Sequence, residues 1–313
     1  MQGQAVFRLR PSPPYTVTPH LESFTLPGRP TPCIYNPSTR TCRRLVRRWR
    51  GGHAPVAYSV RVAGEGWSPL LEVSVYMGSL EDARRLVEHI YNTAYRYPDV
   101  GLLAEACPGL RPLLDKAPGL RPLLAPSLWE ALLRAIVSQQ VPLRLANRFM
   151  ACLVESLGGR VVVGGVSFYD VPLPGEVLGA GAEALRRCGL SRRKAEYITG
   201  LAGIVLGGYD LEGVADMEPW EAVRELCRIR GVGPWTAKLA YMAATGRLDI
   251  LLGEDRSVSR GLVLAGCRLP LPEGLRGVEG LISYLAASLY ESSRGARGAG
   301  RRSSPASLSP SPS

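Results

Sequence analysis

The 313-residue sequence predicts an α+β protein: a small antiparallel sheet-plus-helix domain over 1–96, an all-α core over 97–291, and a basic Ser/Pro-rich tail over 292–313. Three observations carry that prediction. Apolar and polar residues alternate with period two in AVFRLR, APVAYSVRV and LLEVSVYMG, the repeat of a half-buried strand. From LWEALLRAIV onward the apolar residues return at helical spacing instead. Between two such helical stretches lies Gly231-Val232-Gly233-Pro234, and a loop beyond the second delivers Asp255.

In the amino-terminal region the three strands are separated by Gly and Pro, and a helix is expected over Leu80–Tyr95, with Leu86, Val87, Ile90 and Tyr91 on one face. The run Arg43-Arg44-Leu45-Val46-Arg47-Arg48-Trp49-Arg50 reads first as a solvated charged face and second as a nucleic-acid contact. Further on, Ser127-x-x-Glu130 has the form of a capping box. The stripe Trp129, Leu132, Leu133, Ile136 and Val137 then runs into Ser138-Gln139-Gln140 and stops near Pro142. Ser191 caps the helix that carries Lys194, Ala195, Tyr197 and Ile198, and Trp220, Val223, Leu226 and Cys227 form the apolar face of the helix leading into the hairpin. After Ser292 the chain lacks apolar residues to bury and is expected to be disordered.

The hairpin has a chemistry of its own. Gly231 and Gly233 carry no Cβ, which permits positive φ and close approach of another backbone. Pro234 suits the first helical position. The unpaired N–H groups of that helix then form an anion site able to grip a sugar–phosphate backbone without reading bases.

Composition agrees with a polyanionic partner: the formal net charge is +11 and the pI about 9.6. Only Lys116, Lys194 and Lys238 are lysines among 38 basic residues, and Asn and Gln are scarce, a bias that fits a heat-adapted source. No apolar run is long enough to span a bilayer and no signal-peptide pattern opens the chain, so an intracellular, cytoplasmic protein is expected. The cysteines at 33, 42, 107, 152, 188, 227 and 267 form no C-x-x-C pair. They read as buried thiols, with a Cys33–Cys42 disulfide left open. The three histidines are too scattered for a zinc site, so no metal is expected.

GVGPWTAKLA with Asp255, together with PDVGLLAEACPGLRPLL, LWEALLRAIVSQQVPLRLANRF and LRRCGLSRRKAEYITGLA in that order over Tyr97–Gly261, resembles the helix-hairpin-helix (HhH-GPD) DNA glycosylases. The Pro-Trp form is most similar to the alkylbase branch typified by inducible 3-methyladenine DNA glycosylase. The resemblance implies a monomeric base-excision enzyme acting on double-stranded DNA that contains a damaged base. Such an enzyme flips the nucleotide out of the stack before its glycosidic bond can be cut. It assigns Asp255 as the catalytic carboxylate, with Asp249 and Glu254 in reserve, and Gln140 as the wedge that fills the vacated stack. Gln139 would line the pocket or minor groove, and Trp235 would wall the base pocket. Gly231, Val232, Gly233, Thr236 and Lys238 would contact DNA. Trp235 stands where strand-cleaving branches carry lysine, implying base release alone. An alkylated purine is the implied substrate. A monovalent cation on the Gly231 and Val232 carbonyls is compatible with the family, and no iron–sulfur cluster is expected because no four-cysteine loop follows. Two features depart from the branch: Leu239 replaces an aromatic residue, and GLISYLAASLY lacks a tryptophan beside its Ser-Tyr, leaving Tyr241, Tyr284 or Tyr290 to compensate. A same-fold enzyme for oxidised or deaminated bases, and a non-catalytic DNA clamp, are the alternatives.

Overall fold

The computed structural model describes residues 5–52, 54–268 and 270–300, with side chains as far as residue 294. Strands β1 (Ala5–Leu9), β2 (Ile34–Asn36), β3 (Thr41–Val46), β4 (Val56–Gly64) and β5 (Leu70–Met77) form one antiparallel sheet in the order β1-β5-β4-β3-β2. Helices α1 (Thr18–Phe24) and α2 (Leu80–Ile90) complete the amino-terminal domain. Residues Val60, Val73, Leu86 and Tyr91 meet in its core. The expected helix over 80–95 stops at Ile90, because Tyr91 leaves helical geometry and Asn92 turns to a φ of +50°.

The helical domain comprises α3 (Val100–Ala106), α4 (Arg111–Lys116), α5 (Leu128–Ser138), α6 (Leu143–Leu157), α7 (Pro174–Arg187), α8 (Arg192–Leu206), α9 (Pro219–Leu226), α10 (Pro234–Thr245), α11 (Arg256–Ala265) and α12 (Glu279–Gly300). It also contains a hairpin, β6 (Arg160–Val163) and β7 (Val166–Tyr169), where only helix was expected. Phe168 of that hairpin packs on Leu45 and Ala57 of the sheet. One core lies among α5, α6, α8, α9 and α10. A second joins α3 and α4 to α11 and α12, so the start and end of the helical region share one lobe.

Four sequence-based expectations change in three dimensions. The basic run 43–50 is not a solvated face: Arg44 is buried within β3 and pairs with Glu130 of α5. Arg47 reaches Asp170 at 3.1 Å and Glu176 at 2.5 Å, and Arg50 pairs with Asp216. These arginines join the sheet to the helical domain. Secondly, the cysteines are not free buried thiols. Disulfides link Cys33–Cys42, Cys107–Cys267 and Cys152–Cys188, leaving Cys227 free. The Cys107–Cys267 link spans 160 residues and closes the second lobe. In the chain-entropy view, such a closure stabilises by on the order of 5 kcal/mol. Thirdly, α12 continues to Gly300, so residues 292–300 of the expected disordered tail are helical; 301–313 lie outside the described residues. Lastly, Trp220 is 64% exposed, whereas Val223 and Leu226 are buried as expected.

Candidate active site

Helices α9 and α10 meet at the hairpin, and its two glycines do different work. Gly231 has a φ of +90°, and a Cβ there would stand 2.2 Å from the Tyr197 ring, so the turn itself requires glycine. Gly233 is exposed, with an ordinary φ of −90° and ψ of 176°, and a Cβ built on it meets nothing within 4 Å. No internal contact demands glycine there. The missing side chain instead leaves the N-terminus of α10 open, where the first-turn N–H groups have no partner inside the helix.

That difference gives a test. Aspartate is a favoured N-cap, so Gly233→Asp keeps α10 capped while placing bulk and negative charge in the phosphate approach. Lesion-bearing and undamaged duplexes are expected to bind about tenfold more weakly, and equally so, because backbone contacts carry no sequence information. Anisotropy titrations at fixed salt measure this. A loss confined to lesion-bearing DNA would place Gly233 at the base pocket instead.

Several residues expected on the DNA side turn inward. Gln139 donates from Nε2 to the Gly231 carbonyl at 2.9 Å and to Thr236 Oγ1 at 3.0 Å. Since a carbonyl only accepts, this contact also sets the orientation of the amide. Gln139 therefore braces α5 against the hairpin. Thr236 is buried and receives that brace, and Val232 is buried with its N–H donating to the Ile229 carbonyl at 3.0 Å. Lys238 Nζ lies 2.8 Å from Glu254 Oε1 and 5.8 Å from the exposed Trp220 ring. Its charge is engaged within the protein. Gln140, by contrast, is exposed at the turn between α5 and α6 with a φ of +54°. A left-handed backbone of this kind costs a side-chain-bearing residue about 1–2 kcal/mol.

Two exposed arginines beside the hairpin were not singled out from sequence. The side chain of Arg230, which immediately precedes Gly231, is 82% exposed, and that of Arg192 at the start of α8 is 81% exposed. The signal was present in sequence only as an arginine next to Gly-Val-Gly.

Asp255 is the N-cap of α11. Its Oδ1 accepts from Ser257 N at 2.8 Å and Val258 N at 3.0 Å, while Oδ2 accepts from Trp235 Nε1 at 2.8 Å. Three N–H donors from two helices thus fix both carboxylate oxygens. The two reserve acids are paired with cations: Glu254 with Lys238, and Asp249 with Arg247 at 3.2 Å. Burial works to raise the Glu254 pKa, yet the hydrogen bond and charge of Lys238, with a backbone hydrogen bond, bring it below its ordinary value. No lysine or arginine pairs with Asp255 among the described residues. Its negative charge is oriented but not neutralised.

The tyrosines divide three ways. Tyr241 belongs to the core and donates to the Met217 carbonyl at 2.8 Å, and Tyr290 accepts from Arg260 at 2.6 Å. Tyr284 alone meets the amino-terminal domain, with its hydroxyl 3.1 Å from His20 Nδ1. The His20 ring stacks on Phe24 at 4.2 Å, and burial, helped by Arg134, lowers its pKa to about 3. This contact ties α12 to the amino-terminal domain through a buried histidine. Of the two hairpin carbonyls named for a cation, the Gly231 oxygen accepts one hydrogen bond, from Gln139. No group of three or more His, Cys, Asp or Glu is placed to hold a metal ion among the described residues.

Residues 133–266 match the family model described as HhH-GPD superfamily base excision DNA repair protein. Over 130 residues the chain is 30% identical to DNA-3-methyladenine glycosylase of Saccharomyces cerevisiae, covering 40% of this chain and 42% of that protein. It is likewise 30% identical over 118 residues to DNA-3-methyladenine glycosylase of Bacillus subtilis, covering 37% of this chain and 39% of that one. The chain thus spans about two fifths of the length of these curated relatives. Its structure superposes on that of 3-methyladenine DNA-glycosylase from Archaeoglobus fulgidus with a TM-score of 0.74 at 25% identity, covering 90% of this chain and 98% of that one. The likeness therefore includes the sheet domain as well as the helices. The stretch that matches the HhH-GPD model, residues 133–266, carries the Gln139 brace, the glycine hairpin and Asp255.

Proposed function

We propose that the protein is a monofunctional DNA glycosylase, which flips a damaged base, of the alkylated-purine class, out of duplex DNA and hydrolyses its N-glycosidic bond. The observation that carries this reading is Asp255: an unneutralised carboxylate, held by three N–H donors, beside a hairpin whose outer glycine leaves room for a backbone. As the C1′–N bond lengthens, positive charge grows on the sugar. A fixed negative charge beside it stabilises that state without having to reorganise, an effect typically worth a hundredfold or more, roughly 3 kcal/mol. Water then attacks C1′ and releases its proton, leaving a free base and an abasic strand. A cationic alkylated purine departs without prior protonation, so a single carboxylate is sufficient chemistry. The activities named for the Saccharomyces, Bacillus and Archaeoglobus proteins support the same substrate class. On this reading the protein acts as a monomer at nucleoid DNA and needs no cluster or metal for the reaction.

Strand cleavage requires a neutral amine that forms an imine with C1′. At the hairpin position stands Trp235, whose indole N–H is given to Asp255. Lys238 is ion-paired, Lys194 is buried against the Val137 carbonyl, and Lys116 lies on α4 in the other lobe. A panel of duplexes, each bearing one lesion, tests the reading. Alkylated purines are expected as free bases, with strand breaks only after alkali and no protein–DNA adduct on addition of borohydride. Exclusive release of oxidised or deaminated bases would overturn the substrate class. An adduct that disappears in Lys238→Gln would overturn the monofunctional assignment.

A further inference from the structure

We propose that Lys194 is a positioning residue for base flipping: its ammonium locks the last turn of α5 and so holds Gln140 ready to enter the stack. The proposal rests on the glycosylase reading above and on Gln140 as its wedge. From sequence, Lys194 is read only as part of the helix that Ser191 caps. In the structure its Nζ donates to the Val137 carbonyl at 2.7 Å, three residues before Gln140.

The last carbonyls of a helix have no partner within it, and here three in succession are answered. Ile136 accepts from Gln139 N at 3.2 Å and Ser138 from Val141 N at 3.4 Å, both from within the turn. Val137 is answered from outside, by Lys194. The lysine is itself buried, and no carboxylate pairs with it among the described residues. Its charge is balanced by the negative end of the α5 dipole. Burial lowers its pKa, the expected cost of holding an ammonium there. Placement is firm, because Ser191 Oγ caps the first turn of α8 through Lys194 N at 3.3 Å, and Ala195 and Ile198 are fully buried beside it.

The turn is thus held from two sides. Gln139 ties it to the hairpin, and Lys194 ties it to α8. Between these anchors Gln140 keeps its left-handed backbone, which persists only where the surroundings over-determine it. Removing the ammonium would strand a buried carbonyl and release one anchor.

The test uses Lys194→Met and Lys194→Arg in the full chain, with single-turnover excision of one lesion placed opposite its normal partner or opposite an abasic site. Lys194→Met is expected to slow excision about tenfold or more when the lesion is paired, but less than about threefold opposite the abasic site, where less stacking is broken. Lys194→Arg, which retains the donor and the charge, should stay within about threefold of the parent on both. Should Lys194→Met fail to fold, Lys194→Gln carries the same expectation. Equal losses on the two substrates, or no loss, would overturn the positioning role. Gln140→Ala separates this from the underlying reading: a selective loss there with none in Lys194→Met sinks the lysine proposal alone. A non-selective effect of Gln140→Ala removes the wedge and this proposal with it. Failure of the parent protein to release any base sinks the glycosylase reading first.

Discussion

Asp255→Asn is expected to lower single-turnover base release by roughly a hundredfold or more while duplex binding changes by less than about threefold. Asparagine can still accept the Ser257 and Val258 N–H groups through its carbonyl oxygen, so α11 stays capped. The second oxygen becomes an NH2 group facing the Trp235 indole N–H, where two donors meet and the contact is lost. The charge that would stabilise the developing cation disappears as well. Binding persists, because the hairpin contacts do not involve this side chain. An unchanged rate would remove Asp255 from the mechanism and require one of the ion-paired acids, Glu254 or Asp249, to take its place.

The largest effect on stability is expected at Glu130, which is buried on α5. Its carboxylate and the guanidinium of Arg44 are almost completely buried side by side, with Arg134 Nη1 3.9 Å away. Burial works against the Arg44 charge, yet Glu130 and neighbouring groups bring its pKa above the ordinary value. Glu130→Ala would leave that guanidinium in the interior without its carboxylate, a change that typically costs about 3–5 kcal/mol. The midpoint of denaturant unfolding should fall, with little change in the slope. Replacing both partners in Arg44→Met/Glu130→Leu should recover most of the loss, since a packed apolar pair carries no desolvation penalty. If the double variant is as unstable as Glu130→Ala, the interface depends on packing around Glu130 and not on the ion pair.

Much of this protein could be read from short segments. Period-two alternation located β1, β4 and β5, and helical periodicity located α5 and α8 with Ser127 and Ser191 as their caps. The hairpin and the carboxylate beyond it were legible because each depends on a few adjacent residues: glycine where φ is positive, proline to open a helix, aspartate to cap the next. The same locality hid other features. β3 was missed because its inward position 44 is an arginine, which alternation counts as polar; only Glu130, 86 residues away, makes it a buried residue. Sequence spacing could not pair Cys107 with Cys267 or Cys152 with Cys188, since each link depends on which helices pack together.

Within the site the division is sharper. Residue types around the hairpin gave the expectation of a DNA-facing surface, but did not distinguish exposed side chains from those that hold the surface in shape. Gln139, Thr236 and Lys238 are spent on internal contacts, whereas Gly233 and Gln140 remain outside. What sequence determined by itself was therefore local: backbone conformation and helix caps, the Asp255 cap of α11 among them. Tertiary structure alone decided which charges are neutralised and which donors are already taken, because a hydrogen bond or ion pair depends on distances between residues that the chain order leaves far apart.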